Sequence, residues 1–486
     1  MNRSARALAV PLSLLAACGL INGLQGNSNS SYPAGSLASK SWHGPVQIDQ
    51  GATIASDAPT LAWGQGAAWV AFYAWDPSSN SAKAWVTRRP RGGSFATPAE
   101  LPYAPGFDGG VAYPQIAVGA ASDAVVAMEA WNLNAQNDVG TSGIWATRVG
   151  SDLSLTQGGL KQVNLPGDAN ASLAVGQSGG SLAVDAAGNA LLAYSPSTGA
   201  WISSQSPGGG WAEPYQLQSS TFEPGLAVAA GAAGQGVVAW TMLNSGSTPQ
   251  TFTTLGASVS LSSAGLTAGP SQTVSTSESQ FITAAMRGNQ GMVLEGGEQQ
   301  SSLYTLALSN GVWGTAQPLS NIAANAYVEP TLAINSSGQA VLLWQGAAAQ
   351  ASDDYAGTLQ ASFWNGTSWS PQQTISGNSP SPHAWWAKVS LNDSGEAVAA
   401  WADFDPTGTY TRIYANILET SSGTPVWSGP TAIDVSSPDA GLANQPQNVR
   451  WVGVALEPGG GVAQVIWMQH DPDTNATPRT WANWIE

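Results

Sequence analysis

The chain repeats itself, and the repeat limits what it can fold into. One pattern recurs along its 486 residues: an apolar pentad, a turn that closes on Gly, then a strongly apolar run ending in an aromatic residue. Clear copies are Glu329 to Ile334 with its turn Asn335 to Gly338 and run Ala340 to Trp344, and Ala387 to Leu391 with Asn392 to Gly395 and Ala397 to Trp401. A third is Leu182 to Val184, Asp185 to Gly188 and Ala190 to Tyr194. Weaker copies at 59–75, 114–131, 224–240, 281–295 and 449–467 bring the number to eight. Asp or Asn followed three residues later by Gly is hairpin chemistry, because the polar side chain starts the turn and Gly takes the positive φ that closes it. The apolar runs are too short for helices and read as buried strands.

A second element follows most pairs: Trp or Phe, a short gap, Pro, then an aliphatic residue. It appears as Phe95/Pro98/Leu101, Trp211/Pro214/Leu217, Trp313/Pro318/Leu319, Trp369/Pro371/Ile375 and Trp427/Pro430/Ile433, with poorer copies ending at Val163 and at Pro270/Val274. Pro lacks a ladder donor and belongs at a sheet edge, so this is the outermost strand of each repeat. The last repeat has no such element after it, while Trp42/Pro45/Ile48 stands alone before the first. Eight pairs match eight edges only if the start of the chain completes the last sheet. Turn glycines from Gly66 to Gly460 recur about every 56 residues, which fits a four-stranded blade with its loops. The expected fold is therefore all-β, a single β-propeller over 41–486. It has eight four-stranded blades, or seven if the weak copy at 114–163 is miscounted, and is closed by the N-terminal strand. The competing architecture is a row of β-sandwich domains, which would not need the stray edge strand.

Composition agrees with this reading. Only 9% of residues are charged, which excludes a coiled coil, a charged helical bundle and a charged disordered chain. The formal net charge of −16 leaves no basic patch, and nucleic acid is not an expected partner.

Residues 1–17 read as an export segment. Arg3 and Arg6 precede an apolar run from Ala7 to Ala17 that is too short to span a bilayer. Leu15-Ala16-Ala17-Cys18 resembles the lipobox of bacterial lipoproteins, which implies cleavage before Cys18 and lipidation of its thiol. Gly19 is similar to that family's outer-membrane sorting pattern, so the resemblance implies a protein of the outer membrane or cell surface, touching membrane through its lipid alone. Residues 18–40, rich in Gly, Ser and Asn, read as a tether reaching on the order of 25 Å. Cys18 is the only cysteine, so no disulfide can brace the fold.

In a propeller, the loops between second and third strands share a face with the inter-blade connections. Three of those loops carry Asp76; Asp403 and Asp405; and His470, Asp471 and Asp473, on blades that the closed ring makes neighbours. Such oxygens would suit a Ca²⁺ ion or a polar ligand. Against calcium, Ala476 and Ala482 stand where a calcium loop wants Gly and Glu, and Asp-Pro and Asn are ordinary turn formers. The inter-blade connections carry Tyr103, Phe107, Tyr113, Tyr327 and His383-Ala384-Trp385-Trp386, whose rings would either stack on sugars or plug the crevices between blades.

The repeats resemble bacterial secreted propellers near the sialidase superfamily, over 41–486 and at the level of fold. Sialidase activity would imply an arginine cluster, a Tyr–Glu pair and an Asp acid, for which Arg148, Arg287, Arg412, Arg450, Glu129, Glu295 and Tyr410 are available. The Arg-Ile-Pro and Ser-x-Asp-x-Gly-x-Thr-Trp motifs are missing, and Trp-Asn-Gly-Thr-Ser-Trp at 364–369 matches only the end of the latter. Gly176-Gln177-Ser178-Gly179-Gly180 has a nucleophile-elbow pattern without its strand-to-helix setting. The expected function is non-catalytic binding of a glycan or protein by the propeller face. The alternatives are a glycoside-acting hydrolase and a structural component of the envelope.

Overall fold

The computed structural model describes residues 36–486 except 51–54, 77–80, 108–109, 120–122, 134–138, 166–170, 174–179, 197–198, 220–224, 245–250, 278–280, 297–302, 320–329, 347–356, 378–382, 407–410, 421–424, 435–448 and 471–476. Apart from a single 3-10 turn at Leu37–Ser39, the described elements are β-strands. They form successive antiparallel groups. The first is Ser56–Gly64, Ala67–Asp76, Ser81–Pro90 and Ala99–Glu100, each strand pairing with the one before it. The same course recurs at 110–162, 182–219, 226–277, 281–319, 331–374 and 385–432, numbered here sheets 2 to 7. Sheets 1 and 2 are joined by one parallel residue pair, Ala82 with Gly110. Gly110 sits at φ +112, and a Cβ there would lie 2.5 Å from the Ala82 nitrogen, so only glycine permits that approach.

Sheet 8 contains Val449–Leu456, Ala463–His470 and Pro478–Ile485, and its outer strand is the first in the chain, Val46–Gln47. Val46 pairs with Ala482 and Gln47 with Trp481. Backbone bonds from His43 N to the Trp484 carbonyl (2.8 Å) and from Ile48 N to the Thr480 carbonyl (2.9 Å) extend the seam. One side chain shows that this strand stands where a normal edge strand would. In sheet 7, Asn416 accepts from Gly429 N of its own edge and donates to the Ile375 carbonyl of sheet 6. In sheet 8, Asn483 accepts from Gly44 N and donates to the Ile433 carbonyl of sheet 7.

The second strands are buried along nearly their whole length, on both faces: Ala190–Tyr194, Ala340–Gln345 and Ala397–Phe404 have almost no exposed position. That is why these runs are continuously apolar rather than alternating. Each sheet therefore needs a neighbour on either side. Apolar clusters join sheets 1 and 2, 2 and 3, and onward to 7 and 8. A further cluster of Ile48, Val70, Phe72, Ile466 and Ala482 joins sheet 8 to sheet 1. The first strands follow the same succession, with Ser56–Gly64 packed between Val449–Leu456 and Gly110–Val118.

The aromatic residue that opens each edge element seals the crevice to the preceding sheet. Trp369 lies in the cluster between sheets 5 and 6 and donates its indole N–H to Thr305 Oγ1 at 3.3 Å; Trp427 lies between sheets 6 and 7. Trp240, Trp344, Trp401 and Trp467 are buried as packing residues. At the same place in their repeats, Trp75 is 37% exposed and Trp131 is half-buried. Trp75 stands almost at the end of its strand, whereas Trp69 and Phe72 in the same strand are fully buried, Trp69 with the Arg88 guanidinium 4.9 Å above it.

The turns between first and second strands also hold neighbouring sheets together. Asp185 accepts from Ala187 N and Asn189 N in its own turn and from Gly234 N of sheet 4. Asn335 and Asn392 close their turns in the same way. Turn-to-turn backbone bonds run from Ala186 to Gly231, from Ala232 to Gly288 and from Asp393 to Pro458. A Cβ on Gly231 would lie 2.2 Å from the Gly288 oxygen, so that glycine is demanded by the next sheet rather than by its own turn.

Asn483→Ala leaves a buried N–H and a buried C=O without partners and should lower unfolding stability by about 2 kcal/mol, with Asn416→Ala costing a similar amount. Urea denaturation of both variants checks this. A free Asn483→Ala beside a costly Asn416→Ala would mean that residues 42–48 add nothing to the eighth sheet.

Candidate functional site

Every sheet has a turn end, where first joins second and third joins fourth strand, and a loop end, where second joins third and the chain crosses to the next sheet. At the loop end, the first strands of sheets 7, 8, 1 and 2 all break register: between Trp385 and Lys388, Arg450 and Gly453, Asp57 and Thr60, and Ala112 and Gln115. In each break one residue adopts the left-handed region: Trp386 (φ 53), Trp451 (φ 58), Ala58 (φ 45) and Tyr113 (φ 50). These are β-bulges, which re-aim side chains at the cost of ladder bonds. For bulky L-residues the left-handed conformation costs roughly 1–2 kcal/mol each, so surrounding structure must hold it in place. Pro59 and Pro114 follow two of the four; lacking an N–H, they lose no ladder bond there.

The bulges of sheets 7, 8 and 2 bring their aromatic rings together with Tyr73, which comes from the second strand of sheet 1. Trp386 and Trp451 lie 4.9 Å apart with planes 35° from parallel. Trp451 and Tyr113 lie 6.0 Å apart, and Tyr113 meets Tyr73 edge-on at 6.3 Å. All four rings are half-buried. Asp57 lies beside this shelf: its carboxylate accepts from Arg450 Nη2 at 2.5 Å and from Ala58 N at 2.8 Å, and also bonds the Tyr73 hydroxyl. Burial pushes the Asp57 carboxyl above its usual range, against the pull of Arg450. Burial, then the charge of Asp57, pushes the Tyr73 phenol well up. Thr60 donates to the Pro114 carbonyl at 2.9 Å and ties sheet 1 to sheet 2 beneath the shelf. The result is a row of partly open aromatic faces beside one balanced ion pair, suited to stacking against a ring with an apolar face and hydroxyl edges.

Of the residues expected from sequence, Trp386 and Tyr113 stand in this shelf. Trp385 does not: it is buried among His383 (5.0 Å) and Phe404 (5.3 Å). Asp403 is 2% exposed and accepts from the backbone N–H groups of His383 (2.9 Å) and Phe404 (2.7 Å), so it brackets the segment entering sheet 7. Asp405 is half-buried. Tyr103 is 40% exposed, its hydroxyl 2.9 Å from Ser81 Oγ and its ring under the Lys83 ammonium at 5.2 Å. The side chain of Asp76, and Cys18, Asp471, Asp473, Tyr327, Tyr410 and Ser178 entirely, lie outside the described residues. Among those described, no group of three His, Cys, Asp or Glu side chains is placed to hold a metal.

The arginines are spread over separate partners: Arg148 with Asp123, Arg287 with Asp393, Arg412 with Asp434 and Arg450 with Asp57. Glu129 accepts from Leu173 N, and Glu295 from the Ser275 hydroxyl. Trp451, Tyr73 and Asp57 were not singled out by the sequence. The signal was present in part: Arg450-Trp451 holds the same place in its repeat as Trp385-Trp386 and Ala112-Tyr113.

No protein family model matches the chain, and no curated protein matches it. Solved structures similar to it include a Dyadobacter fermentans protein of unknown function (12% identity, TM-score 0.39, 92% of this chain and 99% of that one). The NanB sialidase of Streptococcus pneumoniae is similar at 10% identity and TM-score 0.36, over 94% of this chain and 70% of that one. A PL25 ulvan lyase is similar at 8% identity and TM-score 0.48, over 90% and 95%. At TM-scores below 0.5 these likenesses do not bear on function.

Burial pushes both Asp403 and Asp434 up to about 6, the latter against Arg412. The folded state thus holds these protons more tightly than the unfolded chain, and the two groups stabilise it less as pH rises from about 4 through 6. The thermal midpoint should be higher near pH 5 than near pH 7, and Asp403→Asn should reduce that slope. A midpoint falling steadily from neutral to acid pH would contradict it.

Proposed function

We propose that the protein is an eight-bladed β-propeller whose aromatic shelf binds a glycan without cleaving it, and that a lipid on Cys18 holds it at the outer membrane or cell surface. The closed ring is supported by the apolar cluster between the last and first sheets and by the strand Val46–Gln47 beside Pro478–Ile485. The observation that carries glycan binding is the row Trp386, Trp451, Tyr113 and Tyr73, drawn from four adjacent sheets, the first three rings presented by left-handed bulges. Residues kept in such conformations cluster at ligand sites, because only a gain elsewhere retains them. Pyranose rings present apolar faces to aromatic side chains and hydroxyls to polar neighbours such as Arg450 and Tyr73.

Binding rather than hydrolysis is favoured by the acid–base inventory of the shelf. Glycoside cleavage uses two carboxyl groups roughly 5–10 Å apart, one of them free to donate a proton. Among the described residues, Asp57 is engaged by a guanidinium, a backbone N–H and a phenol, and Asp403 of sheet 7 is committed to two backbone N–H groups.

The test is a glycan array on the full-length protein, followed by titration of each hit through tryptophan fluorescence. Trp386→Ala and Trp451→Ala should each weaken binding by about tenfold or more, as expected for one lost stacking contact. Val312→Ala, on an exposed edge at the turn end, should leave it unchanged. Hits that survive both tryptophan variants would overturn the shelf. Glycoside hydrolysis lost in Asp57→Asn would replace binding by catalysis.

A further inference from the structure

Residues 36–40 are seated at one end of the molecule. Leu37 is fully buried in the cluster between sheets 7 and 8, and its N–H donates to Glu396 Oε1 at 2.9 Å. The Ser36 hydroxyl donates to Glu419, and Lys40 Nζ donates to the Gly461 carbonyl at 2.7 Å. Glu396 precedes the second strand of sheet 7, Glu419 ends its third, and Gly461 lies in the first turn of sheet 8. All three mark the turn end. The shelf of Trp386, Trp451 and Tyr113 lies at the loop end, at the start of the first strands.

Resting on the lipid-anchor reading above, we infer that the turn end is the face held against the membrane and that the aromatic shelf faces away from it. Seventeen residues separate Cys18 from Ser36, and a linker of that length and composition reaches about 23 Å on average. An eight-residue strand such as Ala397–Phe404 spans about 27 Å. Bringing the shelf to the bilayer would need the linker to run the full depth of the molecule and then inward across its strands. Holding the turn end there needs neither. Charge does not oppose the arrangement: Arg89, Arg91, Arg148 and Arg287 pair at this end with Glu486, Glu457, Asp123 and Asp393, mostly out of solvent, so these four carboxylates are neutralised there. A shelf turned outward is open to large or polymeric glycans, which a membrane-facing shelf would exclude.

The experiment uses the full-length lipidated protein in phosphatidylethanolamine–phosphatidylglycerol vesicles that carry an acceptor-labelled lipid. A donor dye is placed at Ser394→Cys, exposed at the turn end of sheet 7, or at Pro406→Cys, exposed at its loop end. Energy transfer to the bilayer should be at least about twofold greater from 394, given a separation near the strand length. Leu37→Asp, which unseats residues 36–40, should keep vesicle binding and shrink that contrast. Bound protein with equal or reversed transfer overturns the orientation alone. Full-length protein that fails to associate with vesicles overturns the anchor, and the orientation with it.

Discussion

The structure depends on a boundary condition: a sheet that is apolar on both faces cannot be the last in a row. Each second strand is buried on both sides, so every sheet needs two neighbours. A linear array would leave the outer faces of sheets 1 and 8 in water. The molecule meets the condition by lending its first strand to its last sheet, which places Ile48 against Val70, Phe72, Ile466 and Ala482. Polar groups complete the seam. Asp49 accepts from Ser56 and Thr480 and lies 3.7 Å from Arg479, and Trp484 is held between His43, stacked at 4.4 Å, and the Arg89 guanidinium, also at 4.4 Å. With the chain's single cysteine outside the described residues, this seam between the last sheet and the first is non-covalent.

How far the sequence revealed this varied with the physics of each element. The clear strand pairs were legible because Asp or Asn with Gly three residues on fixes a turn locally, and the weaker ones because burial on both faces writes an uninterrupted apolar run. The stray edge was legible because Pro and Trp mark it, and the likeness runs deeper than first read: Trp42-His43-Gly44-Pro45-Val46-Gln47-Ile48-Asp49 matches Trp427-Ser428-Gly429-Pro430-Thr431-Ala432-Ile433-Asp434 at five of eight places. The matched aspartates do matched work, Asp49 beside Arg479 and Asp434 beside Arg412. Asp403 misled because position at a strand end says nothing of depth; a carboxylate read as solvent-facing proved to be a buried bracket for His383 and Phe404. The bulges were illegible for a stronger reason. Trp and Tyr disfavour the left-handed region, so local propensity argues against the conformation that tertiary packing imposes at 113, 386 and 451.

The placement of that strain also separates a site from ordinary packing. Aromatic residues are frequent throughout the chain, and most of their rings fill crevices. Over their described residues, the first strands of sheets 3, 4, 5 and 6 pair without a break. Those of sheets 7, 8, 1 and 2 do not, and they are consecutive. A repeat scaffold gives every sheet the same local problem, so a departure shared by four neighbours cannot come from the repeat itself. It breaks the symmetry of the molecule on one side, and it does so where the rings are only half-buried and polar partners lie within reach.

The two ends of the sheets divide the labour that makes such strain tolerable. At the turn end, Asx side chains and backbone bonds tie the turns of sheets 3, 4 and 5 and those of sheets 6, 7 and 8 to one another, and glycines such as Gly231 bring neighbouring backbones into contact. Geometry there is over-determined, and the first strands leave it already fixed in direction. The loop end can then give up ladder bonds and hold several residues in costly backbone conformations without loosening the sheets, because their positions are set from the other side. The proposed binding surface and the rigidity are thus supplied by opposite ends of the same strands, and the eighth sheet belongs to this scheme only because residues 42–48 complete it.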